Sequence, residues 1–151
     1  VRLAVADHPA LVINELELNK NQPSFTVDTL RTLKQQHPDD ALCFLLGMDS
    51  LCSFKSWHQY AEILTLAHLI VLQRPGYEAI TGDAPSLLTS YQAKDILELR
   101  RNSAGKILVL DNPTYNISAS QIRGQYQQNQ LDPSLQIPAV QQYIEQHQLY
   151  R

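Results

Sequence analysis

"ALCFLLGMDSL", Ala41 to Leu51, carries six apolar residues into a Gly and then an Asp. The run Ala41–Leu46 is short and shows no polar alternation, which reads as a strand covered on both faces. Gly47 permits a tight exit from that strand. Asp49 has two readings: it caps the N–H groups of a following helix, or it accepts hydrogen bonds from a ligand hydroxyl at the carboxyl edge of the strand. Working outward, Leu11–Ile13, Leu69–Leu72 and Ile107–Leu110 are apolar runs of the same kind. Between them Val27, Leu30 and Leu33 recur at helical spacing, as do Trp57, Tyr60, Ala61 and Leu64. Each set puts its apolar residues on one helix face. Short apolar strands alternating with amphipathic helices predict an α/β fold: a mostly parallel sheet with helices on both faces and ligands beyond the carboxyl ends of the strands.

The rest of the chain fits one domain. Its 151 residues are enough for a single core, and no linker separates a second one. Gly82 to Asn102 is helix-like, with Leu87, Leu88, Tyr91, Ile96 and Leu99 as its apolar positions. The closing "IPAVQQYIEQHQLYR" has Pro138 near a helix start and Val140, Tyr143, Ile144 and His147 on one face. The Gln-rich stretch Gln125–Gln130 reads as a solvated helix end or loop, and "VRLAVADHP" as the last turns of a helix that stops before Pro9. A formal charge of -3 gives no long-range attraction for nucleic acid or for an anionic membrane, so any phosphate must be held by local donors. Cys43 and Cys52 lack metal-binding spacing and read as reduced structural thiols. Neither an 18-residue apolar window nor a signal peptide is present, so the cytoplasm is the expected location. Nothing in the sequence specifies an oligomeric state.

Three further stretches carry polar residues where chemistry would sit. In "SWHQY", Ser56 with Gln59 three later fits a capping box, which puts Trp57 in the first helical turn, either as core or as a flat face for a heteroaromatic ring. His58 beside it has no orienting carboxylate in the sequence. In "QRPGY", Arg74 stands where a strand ends and Pro75-Gly76 forms a turn, so Arg74 is either solvated or a phosphate contact. In "PTYNISASQIRGQY", Ser118 and Gln121 make a second capping box. Capping does not explain Arg123 in the second turn. Its side chain can reach back toward a helix end whose N–H groups, with Ser118 and Ser120, offer donors to a polyphosphate.

"GMDSL" followed by Trp57, "RPGY" at Arg74–Tyr77, "ISASQIR" at Ile117–Arg123, "PSFTVDTL" at Pro23–Leu30 and the closing "YIEQHQLYR" resemble, in order and spacing, the bacterial nicotinate mononucleotide adenylyltransferase family. The resemblance covers the chain end to end. It implies a Rossmann-like nucleotidyltransferase fold and a reaction that joins ATP and nicotinate mononucleotide to give deamido-NAD and pyrophosphate. It also implies Mg²⁺ delivered with ATP rather than a protein metal cage. On the ATP side it carries over Gly47, Asp49, Arg74, Ile117, Ser118, Ser120 and Arg123, with Ser120 and Arg123 nearest the chemistry. On the mononucleotide side it carries over Thr26, Val27, Trp57 and His58, the ring lying against Trp57 and its carboxylate on backbone amides.

Three departures stand out. Phe25 replaces a usual Tyr and His58 a frequent Tyr, positions where backbone amides are expected to bind. The family's opening Gly-rich strand exit and H-x-G-H motif have no counterpart, since His8, His37, His58, His68 and His147 are scattered. The expectation is therefore a chain without the family's amino-terminal first strand and triphosphate grip, and no turnover by these residues alone. The alternatives are an adenylyltransferase for another phosphate acceptor, such as phosphopantetheine, and a non-catalytic adenine-nucleotide-binding domain.

Overall fold

The computed structural model describes residues 1–18, 23–76, 80–128, 130, 132 and 136–150. Contacts divide the chain into two compact units, Leu16–Tyr115 and a second made of Val1–Glu15 with Asn116–Arg151.

The larger unit is built on a parallel sheet of three strands, β1 (Leu42–Gly47), β2 (Ala67–Leu72) and β3 (Ile107–Leu110), in the order β1-β2-β3. The register sets Leu42 opposite Ala67 and Gly47 opposite Leu72, then Leu69 opposite Ile107 and Leu72 opposite Leu110. Parallel neighbours need a crossover, and helices supply both. Before the sheet comes α2 (Thr26–Gln36). From β1 to β2 the chain passes α3 (Met48–Cys52), a 3-10 turn at Phe54–Ser56 and α4 (Tyr60–Leu66). From β2 to β3 it passes α5 (Ala84–Tyr91) and α6 (Ile96–Arg100).

Strand β2 is the centre because its residues are apolar on both faces. Leu69 and Val71 point into a core with Val27, Leu51, Phe54, Ile63 and Leu87. Ile70 points the other way, against Ala93 and Leu99, with Leu108 and Leu110 beside them. Helices thus cover both faces of β2, as the unbroken apolar run requires. The second face is left open at β1, where Leu45, the register partner of Ile70, is 60% exposed. Cys43 lies two residues before it and is an exposed free thiol, so its place in an apolar run does not make it a core residue. Cys52 is also free and receives the Thr81 hydroxyl at 3.7 Å.

Two polar ties fix the strand ends. His68 is fully buried on β2; its Nδ1 accepts the Lys106 N–H at 3.1 Å, which leaves Nε2–H to donate to the Asn102 carbonyl at 3.0 Å. At the carboxyl end Asn112 acts as an extra rung. Its Oδ1 accepts the Gln73 N–H at 2.8 Å and its Nδ2 donates to Gln73 O at 3.3 Å, so the segment leaving β2 is held where Arg74 begins. The loop before α5 docks on α3: Asp83 N–H donates to Cys52 O at 2.9 Å, and a Cβ on Gly82 would meet that same carbonyl oxygen at 2.2 Å. Only glycine fits there, at φ +59° and in backbone contact.

Four expectations change. Leu11–Ile13 forms no strand, and Leu11 and Val12 lie exposed; three residues offer too few ladder bonds and too little burial to hold one. Gly82 to Asn102 is two helices rather than one, broken where Gln92 bridges Ile107 and Ala93 N–H donates to Ile107 O at 2.8 Å. Asp95 then caps α6, accepting the Glu98 N–H at 2.9 Å. The capping box at Ser56 and Gln59 does not form: Ser56 Oγ donates to Ser53 O at 2.6 Å, Gln59 takes a left-handed backbone with φ 52°, and α4 starts at Tyr60. Trp57 is therefore extended chain ahead of the helix. Asp49 is not a cap either, as shown below.

In the smaller unit α1 (Arg2–Val5), the helix expected before Pro9, packs against α8 (Pro138–Gln146), which opens on its proline. Ile144 is the buried member of the predicted α8 face, while Tyr143 is 47% exposed. Helix α7 (Ala119–Gln128) is anchored by Tyr126, a buried ring whose hydroxyl donates to Gln136. The Gln-rich stretch is the end of α7, with Asn129 outside the described residues, as Tyr77 is for "RPGY". Among the described residues no helix is long and apolar enough to cross a membrane.

Candidate active site

At the carboxyl end of β1, Gly47 has ordinary extended dihedrals, φ -81° and ψ 161°, so conformational freedom is not what the position needs. It needs space. A Cβ there would lie 2.2 Å from Asp49 Oδ1 and 3.1 Å from Arg74 Nε. Asp49 lies inside α3 and makes no capping bond; its carboxylate folds back over Gly47, with Oδ2 3.6 Å from Arg74 Nη1. The other oxygen, Oδ1, is buried and has no hydrogen-bond partner among the described residues. A buried carboxylate oxygen left without a donor is costly, which makes it ready to receive a ligand hydroxyl. Arg74 is the exposed member of the pair, held at its base by the Asn112 tie.

Gly47→Ala should leave the melting temperature within a few degrees, because the clash is with a carboxylate that can turn away. Thermal melts of the two proteins side by side check it.

A second group surrounds a cavity of about 360 Å³, walled by Ser24, Phe25 and Thr26 on one side and Ser56, Trp57 and His58 on the other. Thr26 opens α2, whose N-cap position is Phe25 with no side-chain cap. The amides of Thr26 and Val27 therefore stand in the first turn, where a helix offers its own N–H groups no acceptor. Val27 itself is wholly buried in the core, backbone included, so of the two amides only that of Thr26 borders the cavity. Trp57 meets both readings at once: its ring packs on Phe54 at 5.3 Å and edge-on to Phe44 at 6.0 Å, while it also lines the cavity. His58 lies against Phe25, ring centroids 4.4 Å apart.

The two walls are tied behind the cavity by Arg31. Its Nε and Nη2 take both oxygens of Glu62 at 2.7 and 2.6 Å, its Nη1 takes Asp28 at 2.7 Å, and Nη2 also donates to Gln59. The Glu62 hydrogen bond raises the Arg31 pKa and lowers that of Glu62 below the usual carboxylate value of 4.5. Glu98 is lowered in the same way by Lys106, which donates to it at 2.7 Å, and by the Lys94 N–H. A carboxyl whose folded pKa is depressed adds stability above its unfolded pKa and loses it as pH falls through the folded one. Melting temperature should therefore hold from neutrality down to about pH 5 and fall below the ordinary glutamate range, with a shallower fall in Glu62→Gln. Thermal melts across an acid series check this.

In the smaller unit, Ser118 does cap α7: its carbonyl accepts Ile122 N–H at 3.1 Å and its Oγ accepts Gln121 N–H at 3.2 Å. Arg123 reaches back along the helix and donates to Ser120 Oγ at 3.1 Å, with both groups exposed. Ile117 lines a separate cavity of about 330 Å³ with Asn116, Gln121 and Gln125. Among the described residues no group of three or more His, Cys, Asp or Glu gathers as a metal site. Phe25, Ser24 and Arg31 were not among the residues singled out for binding. Phe25 and Ser24 adjoin Thr26 in sequence, whereas Arg31 carries no local signal because Gln59 and Glu62 are 28 and 31 residues away.

A family model described as cytidylyltransferase-like matches residues 1–125. The chain is 40% identical over 152 residues to a probable nicotinate-nucleotide adenylyltransferase of Aeromonas hydrophila and 42% identical over 156 residues to that of Aeromonas salmonicida. In each case the match covers 100% of this chain and 71% of the relative. Among solved structures, Plasmodium falciparum nicotinic acid mononucleotide adenylyltransferase complexed with APC aligns over 97% of this chain and 71% of its own, with TM-score 0.65 at 20% identity. Its complex with NaAD aligns with TM-score 0.60 at 19% identity, over 97% and 69% of the two chains. Those likenesses carry the Rossmann-like nucleotidyltransferase fold, and the curated relatives carry the finer assignment: the chain belongs to the cytidylyltransferase-like family and, within it, to the nicotinate-nucleotide adenylyltransferases.

Proposed function

We infer that this chain serves the transfer of an adenylyl group from ATP to nicotinate mononucleotide, giving deamido-NAD and pyrophosphate in NAD biosynthesis in the cytoplasm. The observation that carries the choice of acceptor is the aromatic cavity at the uncapped start of α2. A nicotinate is a flat ring bearing a carboxylate, and the cavity offers a match for each part. The indole of Trp57 supports the ring, and the first-turn amide of Thr26, with Val27 buried behind it, receives the carboxylate at the positive end of the helix. His58 closes the wall through its contact with Phe25. Phosphopantetheine has neither a ring nor a carboxylate to use these groups.

The ATP side is assigned to Gly47, Asp49, Arg74, Ile117, Ser118, Ser120 and Arg123. Asp49 Oδ1 accepts from a ribose hydroxyl and Gly47 supplies the clearance. Arg74, Ser118 and Ser120 donate to phosphate oxygens, and Ile117 gives an apolar contact. Mg²⁺ enters as part of the MgATP substrate, held chiefly by the phosphates. A phosphate oxygen of the mononucleotide attacks the α-phosphorus of ATP; the new P–O bond forms as the bond to the β-phosphate oxygen breaks, and pyrophosphate leaves with that electron pair. No covalent enzyme intermediate is required. The chain's contribution is alignment and charge neutralisation, with Arg123 and Ser120 meeting the charge that builds on the leaving phosphates.

The test supplies the intact enzyme with ATP and either nicotinate mononucleotide or phosphopantetheine and follows pyrophosphate and adenylylated product, alongside calorimetric binding of each acceptor. Preferential binding of nicotinate mononucleotide is expected. Equal binding of the two acceptors, or preference for phosphopantetheine, overturns the assignment.

A further inference from the structure

We propose that Arg31 is the positioning residue of the aromatic cavity, setting the gap between its two walls and offsetting the charge of Asp28 beside its anion-binding end. The inference rests on the reading of that cavity as the mononucleotide site. One wall belongs to the start of α2 and the other to the segment that leads into α4. Arg31 lies one turn further along α2 and spans to α4 through both oxygens of Glu62. A two-point contact of this kind fixes orientation as well as distance. Its second partner, Gln59, directly follows Trp57 and His58 and has a left-handed backbone that glutamine rarely takes. Holding Gln59 by its side chain keeps that bend in place and, with it, the direction from which Trp57 and His58 enter the cavity. The third partner, Asp28, is in the first turn of α2. Unpaired, its charge would oppose a carboxylate on the Thr26 amide; paired with Arg31, which it shares with Glu62, that opposition is reduced.

Trp57 is the sole tryptophan, so its fluorescence reports on one wall without any substrate. In Arg31→Met, acrylamide quenching of Trp57 should rise, the dissociation constant for nicotinate mononucleotide should rise about tenfold, and that for ATP should stay within about twofold. Arg31→Lys should recover only part of both changes, since an ammonium cannot hold Glu62 at two points. A merely structural role would lower the melting temperature without separating the two ligands. Unchanged Trp57 quenching in a variant with wild-type circular dichroism overturns the positioning role. Raised quenching with unchanged mononucleotide affinity supports that role and overturns the mononucleotide reading of the cavity. If Arg31→Met does not fold, Arg31→Lys and Glu62→Gln carry the same comparison, and wild-type quenching in both overturns the proposal.

Discussion

Trp57→Ala should weaken nicotinate mononucleotide binding about thirtyfold while leaving ATP binding within about twofold. The size follows from two losses. Stacking of a heteroaromatic ring on an indole is worth about 1 kcal/mol beyond area, and removing the apolar surface that covers the ligand adds about 1 kcal/mol more. About 2 kcal/mol is about thirtyfold in a dissociation constant. Trp57 also packs on Phe54 and Phe44, so the alanine variant will lose stability as well. That loss is common to both ligands and does not create a preference between them. Trp57→Phe keeps a flat ring and should recover most of the affinity. Calorimetry with each nucleotide separates the cases: equal weakening of both would make Trp57 a core residue that happens to border the cavity.

Why Trp57 was readable as a candidate but misread as a helical residue shows where local pattern stops. Strand β3 was legible to the residue and β2 to within two residues because a short unbroken apolar run in an α/β chain has little alternative. The segment from Ser56 to Gln59 has the residue types of a capping box, yet Ser56 bonds back to Ser53 and the Gln59 side chain is held by Arg31, a partner on another helix. Asp49 stood between two readings for a similar reason: a short polar residue after a strand usually caps, but here the absence of a Cβ on Gly47 lets the carboxylate turn back toward Arg74. The site residues Ser120 and Arg123 had a general rationale from a helix end, while Thr26 and the division of the site between two nucleotides came only from the family resemblance. Spacing in sequence can say that a donor lies near a helix start; it does not say which anion the start receives.

In the intact enzyme Arg123→Ala should lower kcat/KM for ATP by ten- to a hundredfold, about 1.4 to 2.7 kcal/mol of transition-state stabilisation, with the melting temperature almost unchanged. The exposure of Arg123 makes the two halves of this expectation separable. Its one observed bond, to Ser120 Oγ at 3.1 Å, is an exposed contact within a single helix face, and deleting such a contact shifts stability within about 0.5 kcal/mol. A side chain that mattered only to α7 would therefore have no kinetic effect of this size. Ser118→Ala gives the opposite balance. It removes the oxygen that accepts Gln121 N–H and should cost about 1 kcal/mol of stability in addition to any kinetic loss. Arg123→Lys should restore part of the rate, because charge near the phosphates survives while the planar fork does not. Ser120→Ala tests whether the hydroxyl orients the guanidinium: if it does, kcat/KM falls by a few-fold and the Ser120→Ala and Arg123→Ala effects do not add. Wild-type ATP kinetics in Arg123→Ala would leave Ser118 to Arg123 as a well-capped helix start with no part in holding ATP.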